Sequence, residues 1–323
     1  MIPLGRLNLR QRLAEYLTLV LVLVAMTVFF GIATEHFLTA TTVRTIANQA
    51  PEAVLIAVGM TYVLIVGGID LSVGALLGLS GAVLGICLTR YAVPLPVAIV
   101  ACLSVGAAAG LLSGLTIVRW SLPAFIVTLG VLEAARGGAY IISGSQTVYI
   151  GGRVEQIAEI NLAGLSLPFL VSIAVATAAQ VVLTRTVFGR YMVAIGTNEE
   201  AVRLSGIDPR PVKVAVFVIS GLLASIAAVG NVARLGAADP NAGIGFELNA
   251  IAAVVIGGTS LMGGRGSVVN SVLGVLIIAV LENGLAQLGA QEPIKRLVTG
   301  GVIVGAVILD HYRARGKRSH LLE

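Results

Sequence analysis

Residues 57–83 read AVGMTYVLIVGGIDLSVGALLGLSGAV, and Asp70 is the single charged side chain in that stretch. A soluble domain would interrupt such a run with polar surface; a lipid bilayer tolerates it. The Gly67–Gly68 pair divides the run between two apolar segments, 50–67 and 71–89. Each is close to the ~20 residues that a helix needs to cross the hydrocarbon core.

Outward from there the same pattern repeats. Further segments lie at 14–33, 95–117, 123–142, 165–184, 211–233, 247–262, 267–288 and 294–310, which makes ten in all. Of the 323 residues 57% are hydrophobic and 11% charged, where soluble domains carry about 25% charged residues. The expected fold is therefore all-α and polytopic, with about ten transmembrane helices in a single transmembrane domain over residues 1–323. The second and eighth segments are short and end in paired glycines, as broken or re-entrant transporter helices do.

The net charge of +5 does not point to nucleic acid, because the basic residues are dispersed at the ends of apolar runs. With an even span count both termini share one side. Arg6, Arg10, Arg12, Arg119, Arg185, Arg190, Arg203, Arg210, Lys213, Arg265, Arg313, Arg315, Lys317 and Arg318 then fall with the termini. Arg44, Arg90, Arg153, Arg234, Lys295 and Arg296 fall opposite, and Arg136 lies within a span. That asymmetry places both termini in the cytoplasm. Cys87 and Cys102 sit within apolar segments as small packing residues, and His36, His311 and His320 form no ligand pair. The basic stretch before the first span has no small-residue cleavage site after it, so that span reads as uncleaved.

Two connections are long. Residues 143–164 form the main external loop, with room for one short helix, and 185–211 the main cytoplasmic loop. In the latter, Thr197-Asn198-Glu199-Glu200 has the form of a capping box, in which Thr197 and Glu200 would cap each other. Gly206 supplies a left-handed stop, and Asp208-Pro209 opens the next span. The expected product is a short helix over about 198–205. It either docks to another protein or lies on the membrane as an interfacial helix.

Absences narrow the chemistry. There is no G-x-x-x-x-G-K-[ST] phosphate loop, no G-x-S-x-G elbow, no HExxH and no Cys-x-x-Cys. The chain is expected to be a transport subunit and not an enzyme, with no cofactor or metal of its own. Its energy must come from an ion gradient or a partner.

Glu200-Ala201-Val202-Arg203-Leu204-Ser205-Gly206 fits the spacing of the E-A-A-x-x-x-G coupling loop of ABC importer permeases. Together with AIGTNEEAVRLSGI (194–207) and FELNAIAAVVIGGTSLMGGRGSVV (246–269), the opening stretch resembles the ribose/xylose/arabinose/galactoside permease family. The likeness runs through the chain in order. Thr197 stands where the family has Gly, and Asn249 where it often has an acidic residue. The resemblance implies a type II importer arrangement like that of the vitamin B12 permease, in the bacterial inner membrane. It also implies a second permease copy, a cytoplasmic ATPase that holds the ATP-Mg, and a periplasmic sugar-binding protein. The coupling helix would comprise Gly196, Thr197, Asn198, Glu199, Glu200, Ala201, Arg203, Leu204, Ser205 and Gly206.

Polar residues at membrane depth are costly and often functional. Asp70 either lines the pathway or N-caps the helix beginning at Leu71, and Ser72 is a candidate pathway-lining residue. Glu133 and Arg136 are three apart, so either a structural pair or a substrate site fits. Asn231, Asn249, Asn283 and Gln287 suit either a polar solute or interhelical hydrogen bonds. Glu247 reads as a helix-start residue or an external gate. The pairs Gly74–Gly78, Gly81–Gly85, Gly106–Gly110–Gly114 and Gly301–Gly305 read as helix packing, one of them a possible dimer seam. VGGIDLSVG (66–74) and IGGTSLMGG (256–264) share GG-x-x-L-x-x-G, an echo read as packing chemistry. The competing function is an ion-coupled secondary transporter, which would need several buried carboxylates. Asp70, Glu133 and Glu282 are the ones this reading places near membrane depth.

Overall fold

The computed structural model describes residues 9–162, 165–302 and 304–305. In chain order it comprises α1 (Leu9–Ala33), α2 (Ala40–Ile65), α3 (Val73–Thr89), α4 (Leu95–Trp120), α5 (Ala124–Ser143), β1 (Val148–Tyr149), α6 (Gly152–Glu159) and β2 (Asn161–Leu162). There follow β3 (Leu165–Ser166), α7 (Leu167–Arg185), α8 (Val187–Leu204), α9 (Arg210–Leu235), β4 (Ala237–Ala238), α10 (Phe246–Ile256) and α11 (Val268–Gln287). Residues 292–302 are also helical. Arg6, His311, Arg313, Arg315, Lys317, Arg318 and His320 lie outside the described residues, as do the side chains of Arg10 and Arg12.

Among the described residues seven helices are long and apolar enough to cross a membrane: α1, α2, α4, α5, α7, α9 and α11. The shorter apolar helices α3 and α10, with the helix at 292–302, account for the other segments expected from the sequence. The second segment proves longer than expected. It begins at residue 40, not 50, because Thr39 caps the polar run ATTVRTIANQ by accepting the Thr42 N–H at 3.3 Å. Pro51 sits inside this helix, where it cannot donate to the carbonyl one turn back. The eighth is short as expected: α10 has 11 residues, a rise of roughly 16 Å, about half a bilayer core.

α2 is the centre of the bundle. Apart from half-buried Ala53, every residue from Ala50 to Ile65 is buried, the mark of a helix enclosed on all sides. α9 packs against both α2 and α4. At the α4 seam Gly106, Gly110 and Gly114 bring α4 onto the α9 backbone at Gly221, Phe217 and Val214, as their spacing predicts.

The glycines of α3 do something different. Ala238 lies against Gly85, the Pro240 and Ala242 carbonyls against Gly78, and Gly243 with Glu247 against Gly74. Their partner is thus not a helix but the non-helical segment that leads from β4 to α10. Such backbone survives in a bundle only where protein satisfies it. Here Arg136 of α5 donates to the Pro240 carbonyl and, at 3.0 Å, to that of Ala242. Val148 and Tyr149 pair antiparallel with Ala238 and Ala237 at its upper end. The helix-packing reading of Gly74, Gly78 and Gly85 is corrected accordingly. Gly301 and Gly305 face open space instead of a neighbouring helix among the described residues.

Candidate functional site: a projecting helix and the polar groups of the bundle

α8 is two helices in one. Asn198 interrupts it with extended backbone (φ −162°, ψ 95°). The first part ends as the Thr197 hydroxyl donates back to the Val193 carbonyl at 2.7 Å. The second starts with Asn198, whose Oδ1 accepts the Ala201 N–H at 2.9 Å. The expected reciprocal cap between Thr197 and Glu200 is therefore not formed, and the cap moves on by one residue. The cause is the lock at Gly196. Its Cα sits so close to the Ile65 carbonyl and the Gly264 N–H that there is no room for a side chain. The helix is held there, and the kink falls just beyond.

Glu200, released from capping, pairs with Arg203, which raises the pKa of the guanidinium above its ordinary value. Glu199 pairs with Lys213 of α9 at 3.0 Å. At the far end Gly206 adopts φ +81°. Its N–H donates to Arg203 and that of Ile207 to Val202, the paired bonds of a Schellman stop. Asp208 then accepts the Arg210 N–H at 3.0 Å where α9 begins. Ala201, Arg203, Leu204, Ser205 and Gly206 are exposed while Val202 alone is buried as an anchor. Leu204, an apolar side chain, is 79% exposed. The result is a short helix capped at both ends that projects from the bundle.

Beneath it the two GG-x-x-L-x-x-G stretches meet. The Gly264 N–H donates to the Ile65 carbonyl at 2.9 Å, Gly263 lies against Gly67, and both Gly263 and Gly264 touch the Gly196–Thr197 backbone. The echo read from sequence marks two turns that enclose one helix kink.

The polar residues singled out within the bundle do not form one site. Asp70 is 2% exposed, and its Oδ1 accepts the Ser72 N–H (3.0 Å) and hydroxyl (2.6 Å) while Oδ2 accepts the Ser220 hydroxyl (2.8 Å). It braces the turn ahead of α3 and ties it to α9, but the helix begins at Val73 with Ser72 as its N-cap residue, so the expected capping of a helix from Leu71 by Asp70 is not formed. Asn231 lies elsewhere and donates to Glu52 at 3.4 Å. Glu247 stands in the first turn of α10 beside Gly74, and Asn249 is half-buried on the same helix. Asn283, on α11, bonds the Ala279 carbonyl (3.0 Å) and Gln49 (3.5 Å). Glu133 is exposed on α5 and forms no ion pair with Arg136.

Two features escaped the sequence reading. Glu52, 2% exposed, accepts from Arg234 Nε at 3.0 Å and ties α2 to α9. An apolar segment starting at residue 50 sets Glu52 at a helix end, whereas α2 begins at Ala40 and carries it into the bundle. A polar cavity also opens where α2 meets α11; Asn283 and Gln287 on its wall are among the residues expected to suit a polar solute, but its other wall lies in a stretch (34–49) that the apolar segments leave as a connection. Its signal was the density of threonines at 39, 41, 42 and 45.

Residues 42–307 match the family model described as branched-chain amino acid transport system / permease component. The ribose import permease protein of Escherichia coli K12 is 40% identical over 281 residues, which cover 85% of this chain and 87% of that protein. The D-allose transport system permease protein of the same strain is 38% identical over 298 residues, 92% of this chain and 91% of its own length. The fructose import permease protein of Rhizobium meliloti is 32% identical over 309 residues, covering 92% and 84%. No solved structure matches the chain. With its membrane-crossing helices and a family match over most of its length, the chain belongs to this permease family and is an integral-membrane transport subunit rather than an enzyme.

Proposed function

We propose that this chain is the membrane-spanning subunit of an ATP-driven importer that carries a neutral monosaccharide into the cytoplasm. The observation that carries the substrate class is the set of relatives. Those named for ribose, allose, xylose and fructose match along nearly the whole chain. The amino-acid wording of the family model is broader. The importer sits in the inner membrane with both termini cytoplasmic, as the basic residues favour. It works as a second copy beside the first, with a periplasmic sugar-binding protein outside and an ATPase inside that holds the ATP-Mg.

The helix at 199–204 suits contact with that ATPase, because it is capped at both ends and everything on it but Val202 is exposed. Its root lies at Gly196, between the end of α2 and the turn before α11, so a push on it reaches both. Glu133, Gly130 and Gly137 support the second copy. A carboxylate in the middle of an exposed transmembrane face, near glycines where an added side chain would meet open space among the described residues, is unsuited to lipid. An ion-coupled mechanism would need several free buried carboxylates, whereas Asp70 is held by Ser72 and Ser220 and Glu52 is paired through Oε1 with Arg234.

The test is reconstitution in proteoliposomes. Sugar uptake is expected only with the ATPase, the loaded binding protein and ATP-Mg together. Uptake by the chain alone under a proton or sodium gradient would overturn the reading.

A further inference from the structure

We infer that the polar cavity between α2 and α11 is the vestibule that first receives the sugar on its way in; this rests on the importer function proposed above. The cavity measures about 400 Å³. Thr39, Thr41, Thr42 and Thr45 line it from the start of α2, Asn283 and Gln287 from the end of α11. His36, before α2, completes the wall. Among the described residues no Asp, Glu, Lys or Arg takes part.

That composition selects among solutes. A cation would need carboxylates, an anion would need Arg or Lys, and a zwitterionic amino acid would need both. Hydroxyls and carboxamides each donate and accept, which is what a ring of sugar hydroxyls requires. The cavity thus favours a sugar over an amino acid on chemistry alone.

The groups are also held in place. Gln287 Nε2 donates to the Thr42 hydroxyl at 2.9 Å, and its Oε1 accepts from Thr34 at 3.3 Å. Asn283 uses Nδ2 on the Ala279 carbonyl and on Gln49, which leaves its Oδ1 without a partner among the described residues. The Thr41 hydroxyl is likewise unpaired there, with only its backbone carbonyl engaged by Thr45. Thr42, Thr45 and Gln49 recur at helical spacing on one face of α2. Neutral hydrogen-bonding groups therefore continue from the cavity inward. With the termini in the cytoplasm, the cavity lies at the external ends of both helices.

The experiment uses the full transporter in proteoliposomes and follows labelled ribose uptake together with ATP hydrolysis. Thr45→Val and Asn283→Leu are each expected to lower the sugar moved per ATP hydrolysed by about tenfold, as one lost hydrogen bond would. Thr45→Ser, which keeps the hydroxyl, is expected to restore it. An unchanged ratio in both variants overturns the vestibule, as does a fall in uptake matched step for step by a fall in hydrolysis, which would make this face a dock for the binding protein. If the wild-type chain moves no monosaccharide at all, the importer function itself fails, and the vestibule with it.

Discussion

Glu52 shows what a single side chain does in this bundle. Its carboxylate is nearly sealed from solvent, and Oε1 holds Arg234 and Asn231 while Oε2 has no hydrogen-bond partner among the described residues. Arg234→Ala would strand that charge, a loss of about 3 kcal/mol; the Arg234 side chain, 33% exposed, keeps the figure at the low end of the range. Glu52→Gln keeps a neutral acceptor for Arg234 and should cost less. Thermal unfolding in detergent is expected to order the proteins wild type, Glu52→Gln, Arg234→Ala, and an unshifted Arg234→Ala would remove the pair from any structural role. Nothing in the sequence marks Arg234 as this partner, because 182 positions separate the two residues. Asp70 was more legible. Its place just ahead of a helix follows from the sequence, but the helix starts two residues later than expected, with Ser72 at the N-cap, and the bond to Ser220 needed the fold.

The short helix at 199–204 was legible as an element, but the identity of its cap was not. Its boundaries follow from local chemistry: a polar cluster with several good caps, then Gly206. Which residue caps it depends on Gly196 being pinned by Ile65 and Gly264, contacts that no local pattern encodes. Two variants separate these parts. Gly206→Val forces a β-branched residue to φ +81°, a strain of about 1–3 kcal/mol confined to the stop. It should insert normally yet lose the ATPase on co-purification. Gly196→Ala puts a methyl group into the backbone of the junction and should impair transport even where the ATPase remains bound. Wild-type uptake by Gly196→Ala would show that the junction transmits nothing. The long α2 teaches the converse. Six polar residues among its first ten lower the apparent hydropathy of that part, so an apolar-run criterion places its start too late.

For the whole molecule, the apolar segments and their order could be read directly, since spanning a bilayer fixes both length and composition. Orientation follows from the basic residues and can be checked by labelling. Cysteines introduced at Gln146 and Ser205, both exposed, are expected to react with an impermeant reagent from opposite sides of the membrane. Reaction of both from the same side would reverse the topology or change the span count. What the sequence hid is the irregular strand that descends along α3 between β4 and α10. Its carbonyls at Pro240 and Ala242 are satisfied by Arg136, more than a hundred positions earlier in the chain. That arrangement governs biogenesis. A ribosome delivers α3 and α5 to the membrane long before the strand exists, so the groove in α3 stands vacant through much of synthesis. Part of the strand's backbone is satisfied by its own turns, but until Arg136 meets it the Pro240 and Ala242 carbonyls lack their partner. Packing of this segment onto α3 and α5 is therefore expected to follow insertion of the earlier helices, and a nascent chain arrested before Ala237 is expected to be recognised by membrane quality control as unfinished although most of its helices are already in place.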